Sequence, residues 1–237
     1  MKNLDFKNII EQLIDTFLNA GKVAKEIRKR GVKITIKKDN TPVTDGDMAV
    51  NSLITKKISN LTPDIPIISE ETVDTHSKNI KKTFWLIDPI DGTRDYIKTG
   101  EEYTLNAALI IDLQPLIGLV YAPEKERLFY TYGKGFAFEL RKGKKIILDC
   151  KKNDLNEIIA LVNSDKTTEE IIDIHKKYKV SKIIKMSSSY KFGVLAAGEA
   201  DIYAAKARAF EWDIAAGHAI LVNAGGIITT HEDEEFF

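Results

Sequence analysis

Apolar residues recur at helical spacing near the start of this chain. From Ile9 to Ile27 every third or fourth position is hydrophobic, and Arg30-Gly31 ends the pattern. This spacing puts the apolar side chains on one face, so it predicts a long amphipathic helix over about residues 3 to 30. Val32 to Lys37 then alternates like a strand, and Asp39-Asn40 is a turn. A second helix follows, and its apolar face is predicted to contain Met48, Leu53, Ile54 and Ile58.

Short apolar runs between turn residues predict strands in the middle of the chain. Phe84 to Ile87 is a continuous apolar run, which is typical of a strand covered on both faces. A shorter strand, Ile65 to Ile68, precedes it. Four further runs between Tyr103 and Leu140 predict an antiparallel meander. The turns between them are predicted at Gln114-Pro115, Ala122-Pro123 and Gly133-Lys134-Gly135.

Strands alternate with helices in the second half of the chain. The predicted order is strand 158–162, helix 168–178, strand 182–186, helix 188–197, strand 200–204 and helix 212–223. Such alternation indicates a second sheet covered by helices. No linker rich in proline or serine divides the chain. We therefore predict one α+β domain over residues 1–237, with an N-terminal half to about 145 and an α/β half from about 146.

Composition restricts the possible partners of the protein more than it restricts the fold class. The chain has 35 basic and 35 acidic residues, so no net charge would draw it to nucleic acid or to a membrane. Cys150 is the only cysteine, which excludes an internal disulfide and is typical of a reducing compartment. No apolar signal segment or stretch of transmembrane length is present. We expect a cytoplasmic protein without an integral membrane segment; peripheral membrane contact and oligomeric state stay open.

Candidate chemistry lies where the Phe84 to Ile87 strand ends, in the sequence Asp88-Pro89-Ile90-Asp91-Gly92-Thr93. Pro89 restricts the backbone, so Asp88 and Asp91 would be held across a stiff turn and could bind one cation. Gly92 lets the backbone pass close to a ligand, and the amides of Gly92 and Thr93 could hold phosphate oxygens. The same residues would also fit an ordinary turn in which both carboxylates accept neighbouring amides.

Three more carboxylates could join this pair. Glu70 closes a predicted strand, Asp213 opens the last long helix, and Asp47 follows Thr44 in a T-x-x-D arrangement. Each also has an ordinary explanation: a solvated strand end, a charge that complements the helix dipole, and a capping box. Four or five carboxylates in one pocket would raise their own pKa values and require cations. Oxygen-only ligands favour Mg²⁺ over zinc.

Two separate segments, Asp88 to Thr93 and Glu211 to Gly217, together resemble the signatures of the inositol monophosphatase superfamily. Within it, Arg94-Asp95-Tyr96-Ile97-Lys98 is similar to the continuation in the CysQ-type 3'(2'),5'-bisphosphate nucleotidases. Residues 41–47, 66–71 and 187–192 support the resemblance, which runs over nearly the whole chain. It implies a layered αβαβα sandwich of the inositol monophosphatase and sugar phosphatase type, with two mixed sheets and helices between and outside them.

The resemblance also implies roles for individual residues. The metal ligands would be Glu70, Asp88, Asp91, Asp213 and the backbone carbonyl of Ile90, with two or three Mg²⁺ per site. Asp47, Glu70 and Thr93 would be catalytic, because they would position the attacking water and accept its proton. The substrate-binding residues would be Gly92, Thr93, Lys191, Arg208 and Asp213. Lys191 and Arg208 would neutralise the phosphate that is not cleaved; ordinary solvated side chains are the alternative.

Three features depart from the pattern of the nucleotidases. Val162-Asn163-Ser164-Asp165 stands where many of them have Ser-Arg-Ser-His, and Ala205 stands where an arginine is often found. The chain also stops at Phe237, soon after Gly225-Gly226, and such a short final segment could leave a sheet edge exposed or reduce stability. We expect the metal site to tolerate these changes and the nucleotide contacts to be the part that they weaken.

The implied activity is a Mg²⁺-dependent phosphomonoesterase acting on a phosphorylated nucleotide. It would remove the 3'-phosphate of 3'-phosphoadenosine 5'-phosphate, giving AMP and phosphate, through a water activated by the metal. The first alternative is an inositol 1-phosphate or sugar phosphate monophosphatase. The second is a non-catalytic protein that binds metal or nucleotide. The resemblance further implies inhibition by lithium.

Overall fold

The computed structural model describes residues 4–37, 39–72, 81–152, 157–163, 167–206 and 208–234. The helices are α1 (Phe6–Arg30), α2 (Asp45–Leu61), α3 (Thr93–Ile97), α4 (Glu169–Lys177), α5 (Tyr190–Ala196) and α6 (Glu211–Asn223). The strands are β1 (Ile34–Ile36), β2 (Pro42–Thr44), β3 (Ile67–Ser69), β4 (Phe84–Asp91), β5 (Thr104–Ile111), β6 (Gln114–Ala122), β7 (Arg127–Thr131), β8 (Ala137–Arg141), β9 (Lys144–Ile147), β10 (Ile159–Val162), β11 (Lys182–Lys185) and β12 (Ile202–Tyr203). Within these ranges, the helices lack the combination of length and apolarity needed to cross a membrane.

A seven-stranded mixed sheet, in the order β3-β4-β5-β6-β7-β8-β9, forms the centre of the molecule. Strands β3 and β4 are parallel, and the other neighbours are antiparallel. Successive side chains of a strand point to opposite faces. Trp85 and Ile87 of β4 therefore pack in one core with α1 and α2, whereas Phe84 and Leu86 pack in a second core with α5 and α6. Helices on both faces explain why this strand is apolar throughout.

A small sheet, in the order β11-β10-β12, lies beyond α5 and α6. Leu161 of β10 shares the core of Phe192 on α5 and Ile220 on α6. Both strand pairs are parallel, and parallel crossovers are right-handed. The chain moves from β10 through α4 to β11, then back through α5 to β12, so α4 and α5 cover opposite faces. The layers follow as α1 and α2, large sheet, α5 and α6, small sheet, α4. This confirms the αβαβα prediction, although the small sheet is parallel rather than mixed over its described strands.

A buried ion network ties α5 to the large sheet. Arg127 on β7 pairs with Glu139 on β8 at 2.5 Å, and its guanidinium also donates to Glu199. The same guanidinium donates to the hydroxyl of Tyr190, the first residue of α5, at 3.0 Å. Arg127 and Glu139 are almost fully buried, and removal of one partner would leave a buried charge uncompensated. This network therefore holds the start of α5 in place.

The predicted β5–β6 turn and one position on the predicted apolar face of α2 are wrong. The turn between β5 and β6 lies at Asp112 and Leu113, which have φ angles of 52° and 67°, and not at Gln114-Pro115, which belongs to β6. The β5–β6 pairing is irregular next to Pro115, and such an irregularity accommodates a residue that cannot donate a hydrogen bond. Met48 is about half exposed, and Val50 takes a buried position on α2 instead.

Candidate active site

A bulge at the end of β4 brings two carboxylates to one pocket. The strand runs through Pro89 to Asp91, so it ends later than predicted. Residues three apart in a regular strand point to opposite faces. The pairing of β4 with β5 shifts between Asp88 and Asp91, and a bulge of this kind re-aims side chains and accepts a proline. Asp88 and Asp91 therefore both line a pocket of about 510 Å³ at the junction of the two halves.

Asp213 completes a cluster of three carboxylates. One oxygen each from Asp88, Asp91 and Asp213 lies within 4.8 Å of the other two, the one such grouping that could hold a metal among the described residues. Asp213 stands in the first turn of α6, where its backbone N–H donates to the Phe210 carbonyl at 3.1 Å. The Phe210 N–H donates back to Asp213 Oδ2 at 2.9 Å. Asp213 therefore caps the helix and also contributes to the cluster.

The cluster is electrostatically suited to a cation. Asp88 is 1% exposed, and its Oδ1 has no hydrogen-bond partner. Burial, and then the charges of Asp91, Glu70 and Asp213, raise the pKa of Asp88 well above its usual value. Burial and the charge of Asp91 raise the pKa of Asp213 to about 7. An unpartnered buried carboxylate oxygen within an all-oxygen donor set fits a hard divalent ion such as Mg²⁺.

Ser189 holds the cluster together, and sequence reasoning missed it. Its backbone N–H and its hydroxyl both reach Asp91 Oδ2, the hydroxyl at 2.6 Å. The hydroxyl also lies 2.6 Å from the backbone carbonyl of Asp213, so its one proton can serve either acceptor. Asn106 donates to the same hydroxyl oxygen at 2.9 Å. The only signal in the sequence was the serine run at 187–189.

Glu70 lines the same pocket but lies outside the group of three. It forms an ion pair of 3.0 Å with Lys37, whose ammonium also contacts Glu71 at 2.9 Å. Its charge nevertheless contributes to the raised pKa values of Asp88 and Asp213. The structure therefore places Glu70 beside the cluster, with a lysine as its present partner.

Asp47 and Thr93 have other partners and are not hydrogen-bonded to each other. Asp47 Oδ2 accepts from the backbone N–H and the hydroxyl of Thr44, at 2.7 and 2.6 Å, so the predicted capping box is confirmed. Burial raises the pKa of Asp47 to about 6, and its Oδ1 is buried without a partner. Thr93 donates its hydroxyl to the carbonyl of Ile90 at 3.1 Å. That carbonyl oxygen has a second lone pair available for a ligand.

The residues predicted to contact phosphate also line the pocket. Lys191 is 5% exposed; its ammonium donates to the Ser188 carbonyl at 2.6 Å and lies 5.0 Å from the Tyr203 ring centroid. Burial lowers its pKa. Arg208 is exposed at the pocket entrance. Gly92 has φ +87°, a left-handed conformation that side chains rarely adopt, so glycine is needed there.

Two residues at which the sequence departs from the pattern of the nucleotidases also line this pocket. Ala205 and Asn163 both line the pocket, and the Asn163 amide donates to the hydroxyl of Tyr203 at 3.4 Å. Ser164 and Asp165 lie outside the described residues. The pocket therefore has the amide of Asn163 and the methyl group of Ala205 at two positions where the nucleotidases often have arginine.

The αβαβα sandwich thus has a carboxylate cluster in a pocket at the junction of its two halves, and such a cluster can bind a divalent cation and, through the cation, a phosphate group. A sequence profile described as the inositol monophosphatase family matches residues 5–237. The chain belongs to the inositol monophosphatase family, and it is an enzyme of that family.

Curated relatives narrow the comparison. The chain is 36% identical over 202 residues to the 3'(2'),5'-bisphosphate nucleotidase CysQ of Buchnera aphidicola subsp. Acyrthosiphon pisum (strain APS), covering 84% of this chain and 75% of the relative. It is 32% identical over 223 residues to the protein of the same name from Salmonella typhimurium LT2, covering 92% and 88%. Both alignments span most of each protein.

Solved structures of other proteins have a similar fold. A crystal structure of CysQ from Bacteroides thetaiotaomicron, described as a bacterial member of the inositol monophosphatase family, matches with a TM-score of 0.74 and 28% identity, covering 93% of this chain and 88% of that one. An IMPase from Thermotoga maritima matches with a TM-score of 0.78 and 24% identity, covering 99% and 88%. The second likeness is evidence for the fold alone.

Proposed function

We propose that this protein is a 3'(2'),5'-bisphosphate nucleotidase that depends on Mg²⁺. Its reaction would remove the 3'-phosphate of 3'-phosphoadenosine 5'-phosphate and give AMP and phosphate. The observation that carries the proposal is the cluster of Asp88, Asp91 and Asp213 in a pocket that also contains Lys191 and Arg208. Carboxylates for a metal and separate cations for a second phosphate match a substrate with two phosphate groups. The names of the curated relatives support the same substrate class.

The residues present fit Mg²⁺. Asp88, Asp91 and Asp213 would hold it, with Glu70 and the Ile90 carbonyl as further oxygen ligands, and two or three ions would balance this charge. Bound Mg²⁺ would lower the pKa of the attacking water and neutralise phosphate oxygens. Glu70 would leave its pairing with Lys37 when it takes up its role as ligand and proton acceptor.

Other residues of the pocket would position the substrate. Ser189 orients Asp91 so that its other oxygen, Oδ1, remains for a ligand. Lys191 is anchored by the Ser188 carbonyl and would neutralise a phosphate from within the protein, where charges interact strongly. Arg208, on the exposed side, would contact the 5'-phosphate, and Gly92 and Thr93 would offer backbone amides to the 3'-phosphate. Asp47 and Thr93, which are not hydrogen-bonded to each other, would position the attacking water between them.

The test is phosphate release from 3'-phosphoadenosine 5'-phosphate and from inositol 1-phosphate, each with and without Mg²⁺. We expect Mg²⁺-dependent release from the nucleotide at a much higher kcat/KM. Preference for inositol 1-phosphate would keep the metal site and overturn the substrate. Nucleotide binding without release from either compound would favour a non-catalytic binder.

Two further properties remain predictions. Inhibition by lithium would show as a lower rate of phosphate release when millimolar Li⁺ is added to the Mg²⁺ assay. A cytoplasmic location is expected from the single cysteine and would be checked by cell fractionation.

A further inference from the structure

Two stacked aromatic rings lie at the pocket entrance. The ring centroids of Phe210 and Trp212 are 4.9 Å apart, and the ring planes are 23° from parallel. Both residues line the pocket that contains the carboxylate cluster. Phe210 is 56% exposed. Single exposed apolar side chains are common, so this exposure carries meaning only together with the anchoring and the charge of the surrounding segment.

The backbone of Phe210 is anchored to the metal site. Its N–H donates to Asp213 Oδ2, and its carbonyl accepts from the Asp213 N–H. These reciprocal bonds fix Phe210 relative to a carboxylate of the cluster. A substrate with its scissile phosphate at the cluster would therefore meet the ring at a defined distance. An exposed ring held this way is preorganised, so a ligand would not have to order it.

The segment that leads to Phe210 is basic. Lys206 and Arg208 are exposed, and both line the same pocket. In the sequence Lys206-Ala207-Arg208-Ala209-Phe210-Glu211-Trp212, a basic or aromatic residue stands at every second position. We call the four residues Lys206, Arg208, Phe210 and Trp212 the pocket lip. Cations beside a flat apolar ring match a ligand that combines phosphate with a planar base.

We propose that the exposed face of Phe210, backed by Trp212, is the platform on which the purine base of the substrate stacks. This inference rests on the proposed function and names the part of the substrate that the lip selects, the base rather than the sugar. A polyol phosphate has no π-face and would gain nothing from the ring. Stacking of a base on an aromatic side chain typically changes affinity by about 5- to 150-fold.

The test compares two ligands that differ only in the base. AMP and ribose 5-phosphate are titrated by calorimetry into the Mg²⁺-loaded wild type and the variants Phe210→Ala, Phe210→Leu and Phe210→Tyr. Phe136→Ala is the matched control, because Phe136 is 48% exposed, stacks on Phe138 with planes 4° from parallel and does not line the pocket. Tryptophan fluorescence gives a second readout: the chain has two tryptophans, and Trp85 is fully buried, so AMP should quench Trp212.

We expect the Kd for AMP to rise about tenfold in Phe210→Ala and in Phe210→Leu, and to change less than about twofold in Phe210→Tyr, since tyrosine keeps the π-face. The Kd for ribose 5-phosphate should stay constant in all variants, and Phe136→Ala should match wild type for both ligands. Equal losses for both ligands, full affinity in Phe210→Leu, or unchanged AMP affinity in Phe210→Ala would overturn the platform.

The outcomes also separate this inference from the proposed function. If Phe210→Ala binds AMP normally while the wild type releases phosphate from the bisphosphate nucleotide, the platform is wrong and the proposed function stands. If AMP binding depends on Phe210 but no phosphate is released from the bisphosphate nucleotide, the proposed function is wrong and the platform stands.

Discussion

The carboxylate cluster and the pocket lip face the same pocket but are built in opposite ways. Asp88 and Asp91 end a strand that is buried on both faces, and Ser189 joins Asp91 to the backbone of Asp213. In the lip, Lys206, Arg208 and Phe210 are exposed and precede α6, and Trp212 is half-buried in the first turn of that helix. Groups that react need fixed geometry and low dielectric, whereas groups that select a substrate can lie on an exposed segment.

The two regions also differ in how they carry charge. In the cluster, burial and mutual repulsion raise the pKa values of Asp88 and Asp213, so a bound cation would favour the ionised form of both carboxylates. The lip cations Lys206 and Arg208 are solvated, so their charge is screened and costs little to maintain. The comparison therefore predicts large effects on turnover from the cluster and smaller effects on substrate affinity from the lip.

The largest effect is expected for Asp91→Asn. The change removes one ligand charge but leaves an amide oxygen for the Ser189 N–H, so the fold should remain. We expect phosphate release to fall by about a thousandfold or more, as for loss of a group that stabilises developing charge. Activity within tenfold of wild type, with unchanged circular dichroism, would contradict the assignment of Asp91.

Ser189→Ala should have the next largest effect. A hydrogen bond to a charged group contributes about 1.5–3 kcal/mol, so we expect the Mg²⁺ concentration for half-maximal activity to rise roughly tenfold or more. The KM for the nucleotide should change less, because Ser189 contacts Asp91 and not the lip. Ser181→Ala is the control, since its hydroxyl donates to the Ile158 carbonyl near the surface and does not contact the cluster. Equal shifts in both constants would argue for a general loss of structure.

Arg208→Gln tests one cation of the pocket lip, and its expected effect on activity is smaller. An exposed cation contributes about 1 kcal/mol or less to an ionic contact, so we expect KM for the bisphosphate nucleotide to rise about threefold to fivefold with kcat nearly unchanged. The rise should shrink at high salt. Arg141→Gln is the control, because Arg141 is similarly exposed and contacts Glu199 only at 3.9 Å. A kcat loss larger than the KM rise would place Arg208 with the cluster instead.

The smallest effect concerns the pH dependence of stability without metal. Asp47 and Asp213 have pKa values of about 6 and about 7 in the fold, above the unfolded values near 4. Their favourable contribution is complete below pH of about 4 and is lost as pH rises through 6 to 7. We expect the Tm in EDTA to fall by a few degrees between about pH 5 and pH 8.

Two comparisons isolate the cluster in that experiment. Asp213→Asn should show a smaller decline with pH, because it lacks one of the titrating groups. Saturating Mg²⁺ should raise the Tm of the wild type most at pH 8, since binding to the folded state adds stability. A Tm that rises with pH in EDTA, in wild type and variant alike, would show that other groups dominate.

Much of the fold could be predicted from local pattern. The helical period of α1 and the apolar run of β4 each reflect burial of one face or of both, and burial leaves a regular trace in the sequence. The β5–β6 turn could not be placed this way. Leu113 adopts a positive φ, which is uncommon for a bulky residue, and Pro115 suggested a turn but lies in a bulged strand.

The site divides along the same line. Asp88, Asp91 and Asp213 stand at ends of predicted elements, so the sequence identified them as candidates, and the family resemblance implied that they share one site. The partners of these residues could not be predicted from the sequence. Ser189 meets Asp91 from 98 positions away, and Lys37 pairs with Glu70 from 33 positions away. Contacts between distant residues depend on how layers pack, and local periodicity contains no record of that packing.

The sequence by itself thus determines the kinds of functional groups and the order of the elements. Residue type decides which groups can ionise, and spacing decides which face of an element is apolar. Geometry is decided by long-range packing. The bulge at Pro89 turns Asp88 and Asp91 to one side, and α6 brings Asp213 to them with Phe210 attached. The physical reason is that the direction of the two aspartates and the position of α6 depend on strand register and on contacts between layers. These are set only when the two halves of the chain pack together.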